Sequence, residues 1–259
     1  MLIMITNHCH MGCPHCMQDS GPDGKYMTGA TFRQVKAFVQ EAGPKVVLVT
    51  GGEPTEHPYW AEMTKELLAV RGVEMAMILT NGEWIEDSEE RIRMARLIRS
   101  SKGRVKVQVY SHPKYYRRHE WTVAHEQQYR SIGCTPDFDS PLFMQDLGRA
   151  RQNCPEEVLA CTHSPSCVNS HLLALQTHSL LMFSIIAERT GKFCRPLIDP
   201  DGGIHMSESW LCPEVAHVSD GAPVAFVKMK ASRPCRGCRL YKNFQEQHPA
   251  EAALLEKTI

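Results

Sequence analysis

The chain has 259 residues, 42% of them hydrophobic, which suffices for one large α/β domain or a domain of roughly 180 residues with a small appendage. Lysine plus arginine total 29 and aspartate plus glutamate total 29, so net charge gives no argument for a nucleic-acid or acidic-membrane partner. The longest apolar run, "HLLALQTHSLLMFSIIA", is interrupted by Gln176, Thr177, His178 and Ser184, and "MLIMIT" lacks a secretory signal's features, so the sequence reads as soluble and cytoplasmic.

Strand-like and helix-like segments alternate through the first two-thirds. "LIMIT" (2–6) is a short buried strand. Residues 31–43 place Phe32, Val35, Phe38, Val39 and Ala42 on one helical face, with Gly43-Pro44 as the stop. "KVVLVT" (45–50) has the continuous β-branched texture of a parallel strand covered on both faces. A helix is predicted over 59–70, a strand over 73–80, a helix with acids first and bases last over 88–101, and a strand over 105–110. Further candidates are a strand at 141–146, a helix at 168–189 and a strand at 193–199. After Gly191 the texture turns to cysteine, proline, glycine and short strand-like pieces, with a hairpin turning at Asp201-Gly202-Gly203 and a closing helix over 249–257. A soft boundary falls near residue 190, dividing the chain into 1–190 and 191–259.

Repeated strand–helix units imply right-handed parallel crossovers, hence a doubly wound sheet or a full or partial barrel, whose functional loops gather at the carboxyl ends of the strands. "CHMGCPHC" follows the first strand, "GGEPT" the second, "NG" the third and "SHPKYY" the fourth, so four unusual loops are expected on one rim.

Eleven cysteines are the compositional anomaly, and their odd number and tight spacing in an unsecreted chain favour metal ligation over a disulfide framework. Cys9, Cys13 and Cys16 stand in one short loop, where Gly12 and Pro14 allow a tight bend. Three thiolates could hold three irons of a [4Fe–4S] cube and leave the fourth open, or could bind zinc with His8, His10 or His15 as a fourth ligand. Cys194, Cys212, Cys235 and Cys238 offer four thiolates bracketing the later hairpin, for a closed cluster or zinc. Cys134, Cys154, Cys161 and Cys167 read as buried or free thiols, substitute ligands for that second group's metal, or part of a substrate site. Residues 112–130 mix basic and aromatic side chains and read as a solvated loop and helix more readily than as an anion-binding patch.

The first cysteine triplet, placed after a first strand with His15 before its last member, resembles the signature of radical S-adenosylmethionine (SAM) enzymes. "GGEPT" at 51–55 resembles that family's second motif, and "TNG" at 80–82 and "LGRA" at 147–150 are similar to later family elements. The resemblance implies a partial (β/α)6 TIM-type barrel in which Cys9, Cys13 and Cys16 hold a [4Fe–4S] cluster and SAM chelates its fourth iron. It further implies that Gly51, Gly52, Glu53 and Pro54 line the methionine end, with Glu53 accepting from the ammonium group. Arg149 would pair with the SAM carboxylate, Asn81 would belong to the cofactor site, Tyr110 and Ser111 would sit near the ribose, and His15 would flank the adenine. A reductant such as flavodoxin or ferredoxin would supply one electron.

The second cysteine group resembles the twitch form of the SPASM extension, which implies an auxiliary [4Fe–4S] cluster on Cys194, Cys212, Cys235 and Cys238. An auxiliary cluster favours net oxidation of the substrate, by dehydrogenation of a small molecule or crosslinking of a peptide. Because the first strand begins at residue 2, no leader-peptide-binding domain is expected ahead of it, which tilts the expectation toward a small molecule.

Overall fold

The computed structural model describes residues 1–110, 123–137, 149, 196–205 and 214–231. These form a single sheet in the order β5-β4-β3-β2-β1-β6-β7-β8. Its strands are β1 (Leu2–Met4), β2 (Val46–Thr50), β3 (Met75–Thr80), β4 (Val105–Tyr110), β5 (Thr135–Asp137), β6 (Leu197–Ile198), β7 (Gly203–His205) and β8 (Glu214–His217). From β5 across to β6 every pairing is parallel, and β7 and β8 continue the sheet antiparallel. β1 is central: Ile3, Met4 and Ile5 are fully buried although successive side chains point to opposite faces.

The helices are α1 (Gly29–Ala42), α2 (Trp60–Leu68), α3 (Ser88–Ser100), α4 (Val123–Ile132) and α5 (Ala222–Ala231). α1 begins where the Thr28 side chain accepts from Thr31 N–H and ends where left-handed Gly43 donates to Val39, and it buries the five residues of its apolar stripe. The Asp87 carboxylate caps α3 by accepting from the N–H groups of Glu89 and Glu90. The main core joins these helices to one sheet face through Ile3, Ile5, Val47, Val49, Ile78 and Val107. On the opposite face, Leu2, Met4, Leu48 and Leu197 pack with half-buried Met75, Met77 and Leu79.

The expected segments at 141–146, 168–189 and 249–257 lie outside the described residues. Two elements differ from the sequence expectation. β5 is a three-residue strand containing Pro136, held on β4 by the register Val109–Pro136. Residues 222–231, within the stretch read as short strand-like pieces, form α5, whose Phe226 packs near Phe38 of α1 at 6.3 Å between ring centroids. The sheet also crosses the expected boundary at residue 190, since Leu197 and Ile198 pair directly with Leu2 and Ile3.

The hairpin at Asp201-Gly202-Gly203 forms as expected between β6 and β7. Asp199 organises it: Oδ1 accepts from the N–H groups of Asp201 and Gly203 at 2.9 and 2.8 Å, and Oδ2 lies 3.0 Å from His205 Nε2. Burial works against the Asp199 charge, but His205 and these N–H donors outweigh it and hold the carboxyl below its ordinary pKa. Because the folded value is depressed, this stabilisation is present above the unfolded carboxyl value of about 3.9 and disappears as pH falls through the folded value. Asp199→Asn is therefore expected to cost about 1–3 kcal/mol at neutral pH, with the gap to wild type narrowing below about pH 4. Urea unfolding of both proteins across that range checks this; a gap independent of pH would contradict it.

Candidate cluster and cofactor site

The carboxyl ends of the parallel strands place the first three unusual loops together. The loop after β2 lies against the exit of β1: Gly52 N–H donates to Thr6 O at 2.8 Å and Glu53 N–H to His8 O at 2.9 Å. A Cβ on Gly52 would lie 2.2 Å from His8 O and 2.9 Å from Cys9 Cβ, and one on Gly51 would lie 2.7 Å from Thr6 O. The two glycines are thus demanded by backbone packing against the cysteine loop, a reason the sequence reading did not contain.

Glu53 is 1% exposed, and its carboxylate is already surrounded by donors. Oε1 accepts from Thr55 N–H at 3.1 Å, Thr55 Oγ1 at 2.6 Å and Thr80 Oγ1 at 2.7 Å, while Oε2 accepts from Asn81 N–H at 2.8 Å. Burial pushes its pKa up, and these donors act in the opposite direction to favour the charge. The side chain expected to receive the SAM ammonium group therefore ties the loop after β2 to the end of β3. Pro54 is buried and opens the short 3-10 turn Pro54–Glu56. Asn81, also buried, donates from Nδ2 to Met11 Sδ at 2.9 Å and accepts from Glu83 N–H at Oδ1, joining the loop after β3 to the cysteine loop.

Sequence reasoning missed two acids, Glu56 and Glu83, which engage the histidines flanking Cys9. His8 Nδ1 lies 2.6 Å from Glu56 Oε2, close enough for an ion pair though not aligned as a hydrogen bond. His10 bridges two loops, with Nδ1 against Glu56 and Nε2 against Glu83. Burial pulls the His10 pKa down, but the two carboxylates more than offset it and favour the imidazolium. The signal available in sequence was position alone: Glu56 directly follows "GGEPT", and Glu83 directly follows "TNG".

Cys9 is buried, and Cys13 and Cys16 are partly exposed. Burial raises the Cys9 thiol far above its ordinary value and, with Cys16 nearby, pushes Cys13 up to about 11 against the opposing Arg149 charge. Cluster binding must therefore displace protons from these thiols. Ser20 N–H points to Cys16 Sγ at 3.4 Å, a donor suited to a ligating sulfur, and the Ser20 hydroxyl is buried without a hydrogen-bond partner among the described residues. Among the described residues no three His, Cys, Asp or Glu side chains converge on a single-ion site. The residues present fit a cluster, and two of the histidines weighed as zinc ligands are occupied by carboxylates.

His15 is buried in the turn between Cys13 and Cys16, and Tyr110 ends β4 at 41% exposed. Arg149 reaches the cysteine loop: its Nε donates to Cys13 O at 3.0 Å, Nη1 to Asp19 at 2.8 Å and Nη2 to Ser20 O at 2.6 Å. Ser111, Cys154, Cys161, Cys167, Cys194, Cys212, Cys235 and Cys238 lie outside the described residues. Cys134 is buried in the main core.

A family profile described as the radical SAM superfamily matches residues 3–132, half of the chain. The chain belongs to the radical SAM superfamily. The matched region contains the cysteine loop, "GGEPT" and "TNG", the elements the structure draws together. Among individual proteins, similarity reaches 29% identity over 84 residues with the GTP 3',8-cyclase of Actinobacillus succinogenes, covering 31% of this chain and 25% of that one. It reaches 28% over 101 residues with the GTP 3',8-cyclase of Listeria welshimeri, covering 38% and 30%, respectively. With molybdenum cofactor biosynthesis protein 1 of Drosophila melanogaster it is 30% over 84 residues, covering 31% and 15%. The match thus spans less than a third of each of these relatives. The crystal structure of BtrN in complex with AdoMet and 2-DOIA superposes over 96% of this chain and 88% of its own, with a TM-score of 0.57 and 11% identity, a likeness of fold. In this radical SAM protein no helix among the described residues is long and apolar enough to cross a membrane.

Four donors converge on Glu53, so Glu53→Gln would turn an amide N–H2 toward at least one of them. We expect it to lower the stability of the cluster-free protein by about 1–3 kcal/mol. Urea unfolding without SAM measures this; an unchanged midpoint would show that the carboxylate does not hold the loops together.

Proposed function

We propose that the chain is a radical SAM enzyme performing a net oxidation, a dehydrogenation or a crosslink, on a small molecule or peptide. The supporting observation is the joining of the three-cysteine loop to the Gly51-Gly52-Glu53 and Asn81 loops at one strand rim. The bound reduced cluster with SAM would supply a 5'-deoxyadenosyl radical and thus hydrogen abstraction. Cys9, Cys13 and Cys16 would hold the irons. The backbone around Gly51 and Gly52 and the side chains of Asn81, His15, Tyr110 and Ser111 would orient SAM. The apolar face carrying Met4, Met75 and Met77 would keep water from part of the sheet. In this reading the core is a partial (β/α)6 barrel of a soluble cytoplasmic enzyme that takes electrons from a flavodoxin or ferredoxin.

The oxidative assignment rests on the second cysteine group, Cys194, Cys212, Cys235 and Cys238, read as ligands of an auxiliary [4Fe–4S] cluster in a twitch-like region over 191–259. The β6–β7 hairpin agrees with that layout. A second reading is favoured by the similarity to GTP 3',8-cyclases over 84 to 101 residues: a cyclisation begun by hydrogen abstraction from a nucleotide.

After anaerobic reconstitution, dithionite and SAM are expected to yield 5'-deoxyadenosine, and the C9A/C13A/C16A triple variant none. Iron analysis should find about eight irons in the wild type and about four in that variant, one cube per site. A loaded wild type that leaves SAM intact would refute the radical assignment, and a triple variant retaining all its iron would refute the division into two sites. Stimulation of 5'-deoxyadenosine formation by GTP would select the second reading.

A further inference from the structure

The sequence makes Arg149 a partner for the SAM carboxylate, but the structure shows its guanidinium engaged elsewhere. Each of its three nitrogens donates to the segment that runs from the second cysteine past the third: Nε to Cys13 O, Nη1 to Asp19 and Nη2 to Ser20 O. Its backbone N–H adds a fourth contact, to Cys16 O at 3.0 Å. Cys13 and Cys16 are thus each held through a carbonyl by one residue far away in sequence. Asp19, which receives Nη1, has φ +50°, a left-handed conformation that aspartate adopts more readily than most residues other than glycine, so the loop turns sharply beside the Arg149 contact. Ser20, which receives Nη2 at its carbonyl, directs its own N–H toward Cys16 Sγ.

Arginine suits this task because its fork is planar and rigid, and several fixed donors can set the positions of several carbonyls at once. A lysine would retain the charge but present one compact ammonium group. The first cysteine is held differently, since its neighbours His8 and His10 are tied to Glu56 and Glu83. The loop is therefore fixed at both ends by side chains from other segments.

We infer that Arg149 is a positioning residue that holds Cys13 and Cys16 in ligating geometry through Cys13 O, Cys16 O, Asp19 and Ser20 O, and that it is not the partner of the SAM carboxylate. This inference rests on the cluster reading of Cys9, Cys13 and Cys16.

The test compares reconstituted wild type, Arg149→Met, Arg149→Lys and Asp19→Asn by three measurements: the rate of iron loss to EDTA, the midpoint potential of the N-terminal cluster, and the Kd of the cluster-loaded fraction for radiolabelled SAM. Arg149→Met is expected to lose that cluster about tenfold faster than wild type, the scale of removing a second partner of a metal ligand. SAM affinity of its loaded fraction should match wild type. Its midpoint potential should move negative, because a cation beside the thiolates has been removed, while Arg149→Lys stays near wild type in potential yet loses the cluster at an intermediate rate. Asp19→Asn, which weakens one contact by removing its charge and leaves Arg149 in place, should accelerate loss by a smaller factor and keeps the inference testable if Arg149→Met fails to fold. Weakened SAM binding in loaded Arg149→Met, or cluster loss at the wild-type rate in both Arg149→Met and Asp19→Asn, overturns it. A wild type that binds no iron through Cys9, Cys13 and Cys16 overturns both this inference and the radical SAM assignment. A normally loaded wild type with an Arg149→Met variant defective only in SAM binding overturns this inference alone.

Discussion

A carboxylate removed from water must find donors inside the protein, and Glu53 finds them on two loops. Thr55 supplies N–H and O–H from its own turn, and Thr80 and Asn81 supply O–H and N–H from the end of β3. With those donors present the burial is sustainable; Oε1 is served by three of them and Oε2 by the Asn81 N–H, whose loss would leave a buried oxygen unsatisfied. Thr80 Oγ1 also accepts from Gly82 N–H and the Trp84 indole, so the same node sets the start of the turn leading to α3. The rim is consequently one hydrogen-bonded unit, and a disturbance at Glu53 would reach two of its loops.

The cysteine loop is fastened to this unit by three means. Backbone contacts bring Gly51 and Gly52 against Thr6, His8 and Cys9 so closely that side chains there would meet main-chain atoms. Charged contacts from Glu56 and Glu83 take His8 and His10. Asn81 takes Met11. By comparison, the Lys25–Asp201 pair linking the far end of this segment to the β6–β7 hairpin is exposed on both sides, where water and salt screen it, and contributes little. The buried and partly buried contacts dominate, because water does not compete with them as it does at the surface.

Legibility in the sequence followed the strength of the local signal. The strand at 105–110 is legible at its true bounds because Val105, Val107 and Val109 alternate with outward residues, and α3 is evident from its acidic start and basic end. β5 was not legible: three residues including a proline carry no periodicity, and the strand exists through its pairing with β4. α5 was hidden because "APVAFVKMKA" is apolar without a clear polar face, and packing on α1 decides its conformation. Within the site, motif residues were readable as a set, but Glu56 and Glu83 were not, since a glutamate after a motif is unremarkable until histidines from another loop lie beside it.

By itself the sequence determined the α/β alternation, the loops that follow the first strands and the three closely spaced thiols, because these depend on local periodicity and spacing along the chain. Tertiary structure decided which partners the side chains meet. Glu53 and Arg149, two groups that chemistry alone would assign to a charged ligand, have partners within the protein, Glu53 through two loops and Arg149 through the cysteine loop. The physical reason is that a donor or acceptor is satisfied by whichever complementary group the fold brings within hydrogen-bonding distance, and that juxtaposition across 28 or 136 positions of chain is written in no local pattern.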